Sequence, residues 1–166
     1  MSEYRDKKHR LPPERYIGKI SISFTLCVDG NRKVFFEQAD IYRHVELLTE
    51  QLARFDCLAP IYCFMPDHLH VLTFGMSETA NGKLAMDAFK LKSGRYLYNS
   101  SVGYKWQGDY HDRIVRSEHE WRKKMFYIFN NPVRANIVED PYDYPLSGSI
   151  GFKLEDVIWE TGQSKG

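Results

Sequence analysis

The chain has 166 residues, 43% of them hydrophobic, which is enough for one domain with a proper core. No apolar run approaches the roughly 20 residues of a membrane helix, so a membrane-spanning role is excluded from the reading. The net charge of +1 gives no global attraction to nucleic acid, although local basic groups occur. These are Arg5, Lys7, Lys8, His9 and Arg10, then Lys83, Lys90, Lys92 and Arg95, then Arg113, Arg116, Arg122, Lys123 and Lys124. Each group reads as ordinary solvated surface or as part of a basic groove. Cys27, Cys57 and Cys63 are odd in number and lack CxxC spacing, so reduced thiols are expected. The charged start, MSEYRDKKHRLPPER, lacks the apolar centre of a signal peptide, and the expected location is the cytoplasm.

KISISFTLCVD alternates. Ile20, Ile22, Phe24, Leu26 and Val28 face one way and Lys19, Ser21, Ser23, Thr25 and Cys27 the other, as in a half-buried strand. Asp29-Gly30-Asn31 has turn chemistry. Ile41, Val45, Leu48, Leu52 and Phe55 then recur at helical spacing, predicting an amphipathic helix over about 38–55 with His44 on its exposed side. Leu58 to Met65 reads as the next strand, with Pro60 at its start or at an edge. His68 to Phe74 is its antiparallel neighbour across Pro66-Asp67. A second helix over about 80–98 carries Leu84, Ala88 and Leu91, with Phe89 and Tyr96 beside them. Ser100 to Gly108 reads as a loop and DYHDRIVRS as a fourth strand. A third helix over Glu118 to Asn130 is stopped by Pro132. The remainder is loop-rich, with its last residues expected to be disordered. The first six elements give an α+β, ferredoxin-like βαββαβ antiparallel sheet, with helices on one face and the other free for a partner. A further C-terminal helix carries Tyr127.

Four groups of residues could carry chemistry. His68 and His70 are two apart on a strand, so both imidazoles leave the same face while Leu69 and Val71 face the core. Such a pair could ligate a divalent ion or simply sit on a wet face. Tyr127 and Asn131 are four apart and would share a helix face. A tyrosine hydroxyl is a nucleophile and an asparagine oxygen a hard ligand, but Tyr127 sits in the bulky run Phe126-Tyr127-Ile128-Phe129 and could equally be packed. In WQGDYHDRIVRS, Trp106 and Tyr110 could stack on bases while Asp112 and Arg116 lie near a phosphate. The alternative is an aromatic anchor and a surface ion pair. Lys83, Lys90, Lys92 and Arg95 could track a phosphate backbone or form a solvated face. No glycine-rich phosphate loop, GxSxG elbow or zinc-type cysteine pair occurs.

Taken together and in order, these groups resemble the single-tyrosine HUH transposases of the insertion-sequence-200-like family, which includes the REP-associated tyrosine transposases. The resemblance rests on Met65-Pro66-Asp67-His68-Leu69-His70, then Trp106-Gln107, then Asp112 and Arg116, then Tyr127-Ile128-Phe129-Asn130-Asn131-Pro132-Val133. It covers roughly residues 15–150. Relaxases also use a histidine pair, but their tyrosines precede it, and Tyr127 follows it. One departure is Gly18-Lys19-Ile20, where REP-associated members commonly carry Gly-Thr-Trp.

The resemblance implies a catalytic domain over 1–150 with a basic arm at 1–14 and a tail at 151–166. It implies that His68, His70 and Asn131 hold one divalent ion, Mg²⁺ or Mn²⁺, and that Tyr127 attacks a phosphate of single-stranded DNA. The product would be a 5′-phosphotyrosine link and a free 3′-hydroxyl, the basis of nicking and strand transfer. The expected partner is single-stranded or hairpin DNA at the bacterial nucleoid, with monomer and homodimer both open. Lys90, Lys92, Arg95, Trp106, Asp112 and Arg116 are the candidate DNA contacts. The competing reading is a non-catalytic single-strand-binding module on the same fold.

Overall fold

The computed structural model describes residues 10–101 and 103–162. Arg5, Lys7, Lys8 and His9 of the basic arm and residues 163–166 of the tail lie outside the described residues. The first strand, β1 (Ser21–Cys27), is followed by α1 (Gln38–Arg54), β2 (Cys57–Met65) and β3 (His68–Gly75). Then come α2 (Gly82–Ser100), β4 (His111–Val115), α3 (Glu118–Phe129) and a short α4 (Asn131–Arg134). The chain ends with β5 (Ser147–Ile150) and α5 (Leu154–Gly162). No described helix is long and apolar enough to cross a membrane. The three cysteines are free thiols.

The five strands form one antiparallel sheet in the order β4-β1-β3-β2-β5. Its first four strands have the ferredoxin-like arrangement that the order of elements implied. Alternation in β1 sets the two faces. Ile22, Phe24 and Leu26 are buried, and their register partners Thr73, Val71 and Leu69 on β3 lie on the same side. That side carries α1 and α2: Phe64 of β2 meets His44 of α1 ring to ring, and Ile22 lies against Gly82 of α2. Side-chain caps start the helices. The Asp40 carboxylate accepts from the Phe36 and Glu37 N–H groups, Asn81 Oδ1 accepts from Leu84 N–H, and Ser117 Oγ from Glu120 N–H.

Several expectations change. The second face of the sheet is not free, because α3 crosses it and buries Met125, Ile128 and Phe129 there. His44 is not exposed. It is 1% accessible, because α1 packs on both β2 and α2 and so buries a wider arc, including Leu47 and Gln51. The buried stripe of α2 is Ala85, Met86, Phe89, Ser93 and Leu97, leaving Leu84 and Leu91 outside. Small Ser93 at that position makes room for the Trp106 ring, whose Nε1 donates to Ser93 Oγ at 2.9 Å. Pro60 lies inside β2, which is not an edge, but at a bulge where pairing with both neighbours shifts register.

The stretch after residue 140 is less irregular than expected. Ser147-Gly148-Ser149-Ile150 adds a fifth strand against β2. Gly148 is the register partner of Tyr62, and an added Cβ there would collide with the Tyr62 ring and hydroxyl. Beyond it, α5 buries Val157 and Ile158 and packs on α3. The turn at Pro66-Asp67 closes β2 onto β3, with Met65 paired to His68. Its carbonyls are held from outside: Val28 N–H donates to Asp67 O at 2.9 Å and Val34 N–H to Pro66 O at 2.8 Å. The start of β3 is therefore pinned, and with it the face that His68 and His70 present.

Candidate active site

His68 and His70 leave the sheet on the α3 side. Their Nε2 atoms are 3.1 Å apart. Each ring is oriented through its other nitrogen. His68 Nδ1 pairs with Asp67 Oδ1 at 2.6 Å, and His70 Nδ1 pairs with Thr25 Oγ1 at 3.0 Å across the β1–β3 register. Each Nε2 is thereby aimed at the other ring, and an imidazole that carries its proton on Nδ1 presents Nε2 as a lone pair able to ligate a cation. Two lone pairs that close repel unless a proton or a cation lies between them. His70 is 9% exposed, and its titration is lowered to about 3. Burial is the main cause, followed by the charges of His68, Lys124 and Arg134. It is a neutral imidazole near pH 7, the form that ligates metals.

Two imidazole nitrogens this close could share one divalent ion. Two ligands about 2.1 Å from one ion and at right angles stand about 3 Å apart, close to the separation found. Among the described residues no cluster of three His, Cys, Asp or Glu side chains forms a closed cage, so amide, water or phosphate oxygens would complete the shell. Asn131 is half-buried, and its side chain makes no hydrogen bond among the described residues. It does not share a continuous helix with Tyr127. The third helix stops at Phe129, Asn130 is its C-cap, and Asn131 opens α4 with Pro132 behind it.

Tyr127 lies in the last turn of α3 and is 50% exposed, so it is not a packed core tyrosine. Its neighbours Met125, Ile128 and Phe129 take the buried face and turn it outward. The ring stands edge-on to His70, with centroids 6.1 Å apart. Two cations flank it: the Arg134 guanidinium carbon is 3.9 Å from the ring centroid and Lys124 Nζ 5.5 Å. The structure thus brings His68, His70 and Tyr127 to one place from a strand and a helix separated in sequence by α2 and β4.

The candidate DNA contacts divide. Lys90 and Arg95 line a groove of about 730 Å³ beside α2, together with Arg10, Lys83 and Lys105. Asp87 and Asp109 in the same groove leave an excess of cations. Lys92 is exposed but absent from this lining, because residues two apart on a helix point nearly opposite ways. Trp106 does not offer a face to a base: it is 5% exposed and hydrogen-bonded to Ser93. It anchors the loop instead. Next to it, Gln107 N–H donates to Cys27 O at 2.8 Å, and Cys27 is the strand partner of His68.

Tyr110 is buried too, its hydroxyl donating to Asp87. Asp112 is largely buried and paired with Arg10 at 3.5 Å. Arg116 lies at the opposite end of α3, roughly 15 Å from Tyr127 along the helix, in a groove with Trp121 and Phe152. The sequence reading missed Thr25 and Asp67 as ring holders, Lys105 as a groove cation and Arg134 as a neighbour of Tyr127. Thr25 was within reach of sequence, since alternation puts it on the histidine face; Arg134 had no signal, because its contact depends on the turn after Asn130.

No family model matches the chain, and no curated protein does. Solved structures do. One is a REP-associated tyrosine transposase bound to a REP hairpin, superposing with a TM-score of 0.68 at 18% identity over 89% of this chain and 82% of that one. Another is a candidate transposase from Deinococcus radiodurans R1, at a TM-score of 0.49 and 18% identity over 69% of this chain and 92% of that one. The first likeness shows that the chain has the fold of a REP-associated tyrosine transposase.

Proposed function

We propose that this chain is a metal-dependent enzyme that nicks and rejoins single-stranded DNA through a phosphotyrosine link. The observation that carries the reading is the convergence of Tyr127 on the His68–His70 pair, with ring centroids 6.1 Å apart beside two Nε2 atoms 3.1 Å from each other. An Mg²⁺ or Mn²⁺ ion held by His68 and His70, with Asn131 as a further candidate ligand, would polarise the scissile phosphate.

The remaining steps belong to the chain. Tyr127 Oη attacks phosphorus, a Tyr–O–P bond forms and the bond from phosphorus to the 3′ oxygen breaks. The phenolic proton leaves Tyr127, and the departing 3′ oxygen ends as a hydroxyl. Phosphodiester energy is kept in the new link, so a 3′-hydroxyl from another strand can reverse the reaction without ATP. A phenol suits both directions, because its ordinary pKa near 10 makes it a better leaving group than an alkoxide. The groove of Arg10, Lys83, Lys90, Arg95 and Lys105 is the proposed path of the DNA backbone, in keeping with a fold whose solved relative holds a DNA hairpin.

The test is incubation with end-labelled hairpin DNA carrying randomised single-stranded flanks, in Mn²⁺. A covalent protein–DNA adduct is expected from wild type and none from Tyr127→Phe. No adduct from wild type across the pool would leave a non-catalytic binding module. Cleavage that survives Tyr127→Phe would make water the nucleophile.

A further inference from the structure

Tyr127 is half-exposed in the last turn of a helix, where a side chain ordinarily has several rotamers open to it. A nucleophile in that setting would spend much of its time away from the phosphate. Arg134 answers this. The guanidinium lies over the Tyr127 ring at 3.9 Å from its centroid, and Nη2 donates to the Tyr127 carbonyl at 2.6 Å. That carbonyl belongs to the helix end, where intrahelical donors run out. The contact is made possible by the break after α3. Asn130 caps the helix, and Pro132 starts a new turn with Arg134 N–H bonded back to Asn130 O. Seven residues on, the side chain therefore returns over the ring. Lys124, one turn earlier, adds a second cation at 5.5 Å.

We infer that Arg134 is the positioning residue for Tyr127, gripping both its ring and its carbonyl so that the side chain stays at the histidine pair. This rests on the reading of Tyr127 as the nucleophile. One side chain making two contacts to one residue restrains it better than either contact alone. The stacked guanidinium needs its planar shape to do so, which a lysine ammonium lacks.

The experiment uses the full chain with 3-fluorotyrosine at position 127, in wild type, Arg134→Ala and Arg134→Lys. Fluorine NMR reads the ring's surroundings, and single-turnover adduct formation on the randomised-flank hairpin reads the chemistry. Arg134→Ala is expected to shift and narrow the fluorine resonance. The rate constant at saturating DNA should fall about tenfold, with DNA affinity within about twofold of wild type. Arg134→Lys should fall between, and millimolar guanidinium should restore part of the rate to Arg134→Ala. An unmoved resonance or an unchanged rate would overturn the assignment. So would a loss of DNA affinity that accounts for the whole decrease, because Arg134 would then be a DNA contact. Absence of adduct from wild type sinks the nucleophile reading and this role with it; a wild-type adduct with no effect of Arg134→Ala sinks this role alone.

Discussion

Thr25→Val removes a hydroxyl and little else, and its consequences can be worked out from the geometry. Thr25 Oγ1 lies 3.0 Å from His70 Nδ1 and is that nitrogen's hydrogen-bond partner. His70 is 9% exposed, so water does not readily replace the lost partner. An unsatisfied buried nitrogen costs about 1–3 kcal/mol. The ring can escape part of this by carrying its proton on Nε2 and donating toward His68 Nε2, 3.1 Å away. That tautomer occupies the lone pair that a metal needs. Loss of a hydrogen bond that orients a ligating imidazole lowers metal affinity about 10–100-fold, or roughly 1.4–2.7 kcal/mol. Calorimetric titration with Mn²⁺ at pH 7.5 would measure it, with Thr25→Ser as the control that keeps the hydroxyl. Thermal unfolding without metal should fall by a few degrees in Thr25→Val. If Thr25→Val bound Mn²⁺ as tightly as Thr25→Ser, the orienting role of the β1 hydroxyl would be refuted.

Acid should destabilise the protein through His44. Burial lowers its titration from 6.5 to about 4, so between those values the unfolded chain binds the proton and the folded chain does not. Stability falls as pH drops from 6.5 to 4, by up to ~3 kcal/mol. His44→Leu, which also removes a buried Nδ1 with no partner among the described residues, should reduce that slope in a urea-unfolding profile measured from pH 7.5 to 4 and leave the share due to His70, which burial lowers as well; an unchanged slope would count against it. Salt should report the groove: Arg95→Ala and Lys105→Ala should each reduce the slope of log affinity for hairpin DNA against log salt by about 1, while Lys92→Ala leaves it unchanged. An effect of Lys92 equal to that of Arg95 would place the DNA elsewhere. Trp106→Phe should cost about 1–3 kcal/mol in chemical unfolding by orphaning Ser93 Oγ, with no loss of base stacking in single-strand binding. A binding defect without a stability defect would restore Trp106 as a stacking platform.

Local pattern was sufficient for much of the architecture. Period-two alternation defined β1 and its inward residues, because a strand's faces follow from covalent geometry alone. The same rule put His68 and His70 on one side of β3 before any partner was known. The order of strands and helices implied the ferredoxin-like arrangement, since few connections satisfy it. Weak local signals misled. The expected stripe was too narrow on α1 and rotated on α2, because burial depends on how many neighbours a helix meets: His44 is inside and Leu91 outside. The fifth strand had no apolar alternation to announce it, and its Gly148 is explained only by the Tyr62 ring beneath.

What the sequence by itself determined, then, is a set of elements and a pair of imidazoles on one face. Tertiary structure decided which of the candidates meet. Tyr127 comes to His70 only because α3 crosses the second face of the sheet with Met125, Ile128 and Phe129 turned inward. Lys90 and Lys92, adjacent in a basic run, part company because a helix turns them away from each other, and Trp106 is withdrawn into the core by Ser93. The physical reason is common to all three. A residue's neighbours along the chain fix its direction from its own backbone, but distances between segments far apart in sequence are set by packing, which no short stretch of sequence contains.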